Sequence, residues 1–195
     1  MIPEERSARA QNGISSWFRE LGGESKIRLG AGLEHSPRRG VKDQESGLEW
    51  TGYQADFFLP FQQDKNQEWV LLGGVSYADI RTGAILPESG DSFPDRLWDL
   101  DLGLLHRRRL ANRWTLGLNL SVSSPSDQPF YGWDETAIQL NGFLKIPAAA
   151  RNAWVVFLNY SSNREFLPHV PIPGGGYLYA PSRKLTALIG IPLIF

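Results

Sequence analysis

His35, His106 and His169 are the only imidazoles in the 195-residue chain. With the hydroxyls of Ser124, Ser161 and Ser162 they come nearest to a nucleophile-and-base pair, in which a ring nitrogen takes the hydroxyl proton. His169 or His35 acting as base to one of those serines describes a lipid-modifying enzyme at a membrane rim. A metal site or a triad built from all three histidines is not expected, because the strand pattern described below sets them apart. His35 falls at an outer strand end, His106 near an inner one and His169 in an outer loop.

Asp99 and Asp101 share one strand face and could form a carboxylate pair for acid and base work. The alternative is that they are interior partners of Arg28 or Lys145, since sequestered charge persists only when paired or hydrated. Arg107-Arg108-Arg109 looks like an anion-binding run. Placed in a turn at the inner end, it meets phosphate headgroups or water. Gly174-Gly175-Gly176 does not join a strand to a helix, so it is not a phosphate cradle and is read as a flexible approach to a strand. There is no cysteine, which removes thiol nucleophiles, thiolate metal clusters and disulfides. The expectation is a chain with no catalytic site, cofactor or metal.

What positions these residues is a chain dominated by period-two alternation. Trp114, Leu116, Leu118, Leu120 and Val122 share one face, while Thr115, Gly117, Asn119 and Ser121 share the other. Ile27, Leu29, Ala31 and Leu33 repeat the apolar pattern, as do Trp98, Leu100, Leu102 and Leu104, and Ile138, Leu140, Gly142, Leu144 and Ile146. The alternate positions hold Arg28, Glu34, Asp99, Asp101, Gln139, Asn141 and Lys145. With Asn119 these eight form an expected polar network inside a barrel, where water and counter-charges are available. Alternation over nine or more residues exceeds the usual soluble strand of about five or six and matches the roughly 9 to 11 that a tilted strand needs to cross a bilayer.

Connections alternate as well. Short polar turns are expected near 62–68, 108–113, 147–153 and 181–184, and longer Gly/Pro/Ser/Asp-rich loops near 36–46, 79–96, 123–134 and 161–171. Outer-membrane barrels carry this asymmetry, short turns inside and long loops outside. A tryptophan follows three of the short turns, in Asn66-Gln67-Glu68-Trp69, Asn112-Arg113-Trp114 and Asn152-Ala153-Trp154. Trp69, Trp114 and Trp154 are therefore expected in an inner aromatic girdle, with Trp98, Tyr77 and Tyr160 in an outer one. Ordinary aromatics of a soluble core give the same residues.

The expected fold is all-β: an antiparallel up-and-down transmembrane β-barrel over 24–195, preceded by a periplasmic segment over 1–23. Residues 14–21 within that segment read as a short helix or partial strand. The count is about eight to ten strands, near 25–35, 48–61, 68–78, 97–108, 113–123, 135–146, 153–162, 172–180 and 185–195. Single-chain bacterial barrels have an even number. Two readings stay open: strands continue beyond Phe195, or 161–184 is one outer loop and Phe195 is the terminal aromatic that assembly machinery recognises.

Phe58-Leu59-Pro60-Phe61 before a turn, Leu110-Ala111-Asn112-Arg113-Trp114, and Tyr177-Leu178-Tyr179-Ala180-Pro181-Ser182-Arg183-Lys184 followed by Gly190-Ile191-Pro192-Leu193 resemble an uncharacterised family of outer-membrane β-barrels. The likeness covers most of the chain. It implies a barrel, with further strands after the Gly-Ile-Pro segment, and carries no functional residue.

Composition sets the outer limits. The formal charge of −1, from 20 basic and 21 acidic residues, supplies no field to draw nucleic acid. No run approaches the roughly 18 to 20 apolar residues of a membrane-spanning helix. The opening Met1-Ile2-Pro3-Glu4-Glu5-Arg6 lacks the order of a secretory leader, so a mature form or a fragment is expected. The functional expectation is a porin-like or structural barrel in a Gram-negative outer membrane. Its partners are lipid and the barrel-assembly machinery, and its small-molecule ligand is open; the alternatives are a lipid-modifying enzyme and a soluble ligand-binding barrel. A soluble barrel reverses the facing, with the apolar side chains inside.

Overall fold

Alternating apolar and polar residues favour the extended backbone, and polar turns every ten to fifteen residues fold it back on itself. The computed structural model describes residues 21–23, 25–86, 89–148, 151–164, 167–180 and 187–191. Its strands are β1 Arg28–Gly40, β2 Gly47–Gln63, β3 Gln67–Thr82, β4 Arg96–Arg109, β5 Thr115–Ser126, β6 Ala137–Pro147, β7 Ala153–Ser161, β8 Ile172–Tyr179 and β9 Ala187–Ile191. They form one nine-stranded antiparallel sheet in simple chain order, β1 to β9. No helix occurs among the described residues.

The sheet is open. Among the described residues β1 pairs only with β2 and β9 only with β8, so the expected closure into a barrel is not present. The eight-strand reading is corrected: β8 lies within 161–184 and pairs with β7 on one side and β9 on the other. The expected segment 1–23 lies outside the described residues except for 21–23, as do the turn 181–184 and the chain after 191.

Connections at one sheet end are short, 64–66, 110–114 and 148–152, and at the other end longer, 83–95, 127–136 and 162–171. The turn after β2 is fixed by Asp64, whose Oδ1 accepts the amides of Asn66 and Gln67 at 2.6 and 3.0 Å. Pro60 brings no amide hydrogen to the β2–β3 ladder, and a bulge between Pro60 and Gln62 absorbs the irregularity.

Two expectations about local structure change. Arg107, Arg108 and Arg109 are not in a turn but end β4, because the ladder with β5 continues to Arg109 and Thr115. Gly174, Gly175 and Gly176 lie inside β8. Their missing side chains make room: the Phe157 ring occupies the space a Cβ on Gly174 would take, and Gly176 closes against the β9 backbone at Ile189 and Gly190.

Candidate functional site

Register divides the sheet into two chemically distinct faces. Leu33, Tyr53, Tyr77, Trp98 and Ser126 are partners along one row, and Leu104, Leu120, Leu140 and Tyr160 along another. Alternation then puts Leu29, Leu102, Leu118, Val122, Val156, Leu158 and Ile189 on this same face. Its apolar side chains stand open: Leu33 is 69% exposed, Leu120 50% and Ile189 66%.

The aromatic residues gather at both sheet ends of this apolar face. Toward the long loops, Tyr53 stacks on Tyr77 with centroids 6.2 Å apart, and Tyr77 meets Trp98 at 4.4 Å. Tyr160 lies at the end of β7, its hydroxyl 3.5 Å from His169 Nδ1. Toward the short turns, Trp69 stacks on His106 at 3.9 Å and Trp154 meets the edge of Tyr177 at 4.8 Å. Trp114 closes the β4–β5 turn, its carbonyl accepting the Leu110 amide at 2.8 Å.

Arg28, Glu34, Asp99, Asp101, Asn119, Gln139, Asn141 and Lys145 all fall on the opposite face by strand parity. The guanidinium of Arg28 lies over the Phe58 ring, 4.0 Å from its centroid. Asn119, Asn141 and Asn159 are successive register partners on β5, β6 and β7. The Asn159 amide donates to Asn141 Oδ1 and its own Oδ1 accepts from Arg164. Asn119 Oδ1 is buried and has no hydrogen-bond partner among the described residues.

Toward the long loops this polar face curls into a cleft of about 480 Å³, with walls from β1 to β5. Glu34, Trp50, Gln54, Ser76 and Asp99 contribute to it. Trp50, Gln54 and Ser76 escaped the sequence reading because β2 and β3 mix apolar and polar residues on both faces.

Toward the short turns the same face is closed. Glu68 and Arg107 form an ion pair whose side chains are 4% and 1% exposed. Arg107 Nε donates to Glu68 Oε2 at 2.8 Å, and the Ser25 hydroxyl donates to Glu68 Oε1. The chain ahead of β1 is thereby held under β2 to β4, with the Ser25 amide donating to Gln63 Oε1 at 2.9 Å and Arg109 to the Leu21 carbonyl at 3.3 Å. Val70 and Leu105 are buried beside the pair by register, and Phe143, Ala153, Val155, Phe157 and Leu178 form an apolar cluster. Glu68 and Arg107 were missed as a pair; their shared parity with Val70 and Leu105 was the available signal.

The three histidines do not converge. His35 Nδ1 lies 3.1 Å from Thr51 Oγ1, His106 is against Trp69 at the other sheet end, and His169 is near Tyr160. Ser124 and Ser162 hydroxyls each bond backbone groups, and the Ser161 hydroxyl donates to Asn163 at 3.1 Å. Among the described residues no histidine hydrogen-bonds a serine, and no cluster of three or more His, Asp or Glu side chains could hold a metal. No protein-family model, curated protein or solved structure matches the chain.

Proposed function

We propose that this chain forms the wall of a small β-barrel in a bacterial outer membrane, with a structural role and no catalytic site. The observation that carries this reading is the open apolar face. A run of leucine, valine and isoleucine left to water on nearly every strand costs about 25 cal/mol per Å², and a hydrocarbon layer removes that cost. Aromatics at both ends of that face match the preference of indole and phenol for the membrane interface.

Strand length supports the same conclusion. β1 to β7 run from 9 residues in β7 to 17 in β2, against the roughly 9 to 11 needed to cross a bilayer at a tilt. In lipid the edges of β1 and β9, unpaired among the described residues, must each gain a strand partner, because backbone groups there have no water to bond. The packed short-turn end of the polar face favours a vestibule closed below over the narrow-pore version.

Detergent dependence is the test. The purified protein is expected to stay monodisperse only in detergent or lipid and to precipitate on detergent removal. A monodisperse, folded protein in plain buffer overturns the membrane reading.

A further inference from the structure

The β5–β6 loop, 127–136, carries three exposed aromatics: Phe130, Tyr131 and Trp133, the last two each 84% exposed. Such side chains on a mobile polar loop would need little explanation. Here the loop is held in one shape and on one side of the sheet.

The holding group is Ser124. It pairs with Leu100 on the apolar face, yet it is completely buried. Its hydroxyl donates to the Glu135 carbonyl and accepts the Phe130 amide at 3.0 Å. Ser126, the register partner of Trp98, is buried as well and accepts the Gln128 amide at 3.0 Å. Further bonds from the Thr136 hydroxyl to Gly132 and from the Thr136 amide to Trp133 tighten the loop. Phe130 takes a φ of 59°, a conformation a bulky residue keeps only when its surroundings impose it. The loop thus bends over the apolar face instead of over the polar cleft.

Its position is the informative part. Tyr53, Tyr77 and Trp98 are consecutive aromatics in one register row, and the next place in that row is Ser126. At this place the strand offers a small side chain, and the aromatics Phe130, Tyr131 and Trp133 follow it in the loop.

We propose that the β5–β6 loop is an interfacial anchor, with Tyr131 and Trp133 seated at the headgroup–acyl boundary of the outer leaflet. This rests on the membrane reading above. An amphipathic ring is stabilised where its apolar body meets acyl chains and its polar atom meets water, which an 84% exposed ring in solution lacks. Asp127, Asp134 and Glu135 flank the aromatics and keep the neighbouring loop on the aqueous side, since carboxylates resist transfer into acyl chains.

The absence of cysteine makes the test direct. Tyr131→Cys, Trp133→Cys and Leu120→Cys are labelled with an environment-sensitive nitrobenzoxadiazole probe and reconstituted in phosphatidylcholine vesicles. The probes at 131 and 133 are expected to emit at shorter wavelength than in water and to be quenched more by headgroup-level than by mid-chain nitroxide lipids, with the opposite order at 120. Adding Ser124→Ala to the 133-labelled protein is expected to return its emission toward the aqueous value. Aqueous emission at 131 and 133 with an apolar signal at 120 overturns the anchor and leaves the membrane reading intact. Aqueous emission at 120 overturns the membrane reading itself, and the anchor with it.

Discussion

Glu68 on β3 and Arg107 on β4 are direct register partners and hold a salt bridge that solvent does not reach. Losing one partner strips a buried charge of its direct counter-charge, a change that typically costs about 3 to 5 kcal/mol. Glu68→Gln is therefore expected to lower the urea midpoint of the reconstituted protein substantially. The double change Glu68→Leu with Arg107→Met is expected to recover most of the loss. A fully exposed pair would show almost no effect of either change.

Phe143 and Phe157 are partners on the same face, and each covers a glycine on its other side, Gly117 and Gly174. A Cβ at Gly117 would lie far inside van der Waals contact with the Phe143 ring, so the ring must move to admit it. Gly117→Val is expected to destabilise the short-turn end of β5 to β7, and Phe143→Ala to cost about 3 kcal/mol or more through the cavity it leaves. Equilibrium unfolding in urea measures both. A neutral Gly117→Val would show that the ring has room to swing aside.

The carboxyl of Asp64 is held below the ordinary value of 3.8, chiefly by the backbone amide of Asn66, against an opposing effect of burial, with hydrogen bonds from the Gln67 backbone and side chain adding to the lowering. A folded value below the unfolded one gives stability that is complete above the unfolded value and lost as pH falls through the folded one. The β2–β3 turn is thus expected to loosen only below about pH 3.8. The Asn66 and Gln67 amide resonances should follow the same transition, and Asp64→Asn should abolish it. Titration of Asp64 at or above its ordinary value contradicts the two hydrogen bonds.

The packed end of the polar face also makes a prediction about transport. With Glu68, Arg107, Phe143, Val155, Phe157 and Leu178 filling it, planar bilayers containing the protein are expected to show no steady conductance step. A reproducible step would contradict the closed vestibule and favour the pore. For the enzymatic alternative, His35→Ala and His169→Ala are expected to leave membrane lipid profiles unchanged.

Which residues share a strand face was legible from residue order because alternation is imposed by strand geometry itself, and Leu116, Leu118 and Leu120 needed no knowledge of their neighbours. The turns were equally local, written in Asp64, Asn112 and Asn152. What depends on register was hidden. Glu68 and Arg107 are 39 residues apart, and only the ladder brings them together. Three consecutive arginines suggested a solvated turn until strand parity gave Arg107 to one face and Arg108 to the other. The glycines of β8 looked flexible because the ring covering Gly174 comes from β7. Ser124 offered no sign that it fastens a loop, since its partners Phe130 and Glu135 contribute only backbone groups.

The facing of β5 is where the whole account can be tested most directly. Single cysteines carrying nitroxide labels at each position from 116 to 122, in vesicles, report collision with oxygen, which concentrates in hydrocarbon, and with a water-soluble nickel chelate. Oxygen accessibility is predicted to peak at 116, 118, 120 and 122 and nickel accessibility at 117, 119 and 121. Water contact at the leucines, or no alternation along the strand, would contradict a membrane-facing apolar surface.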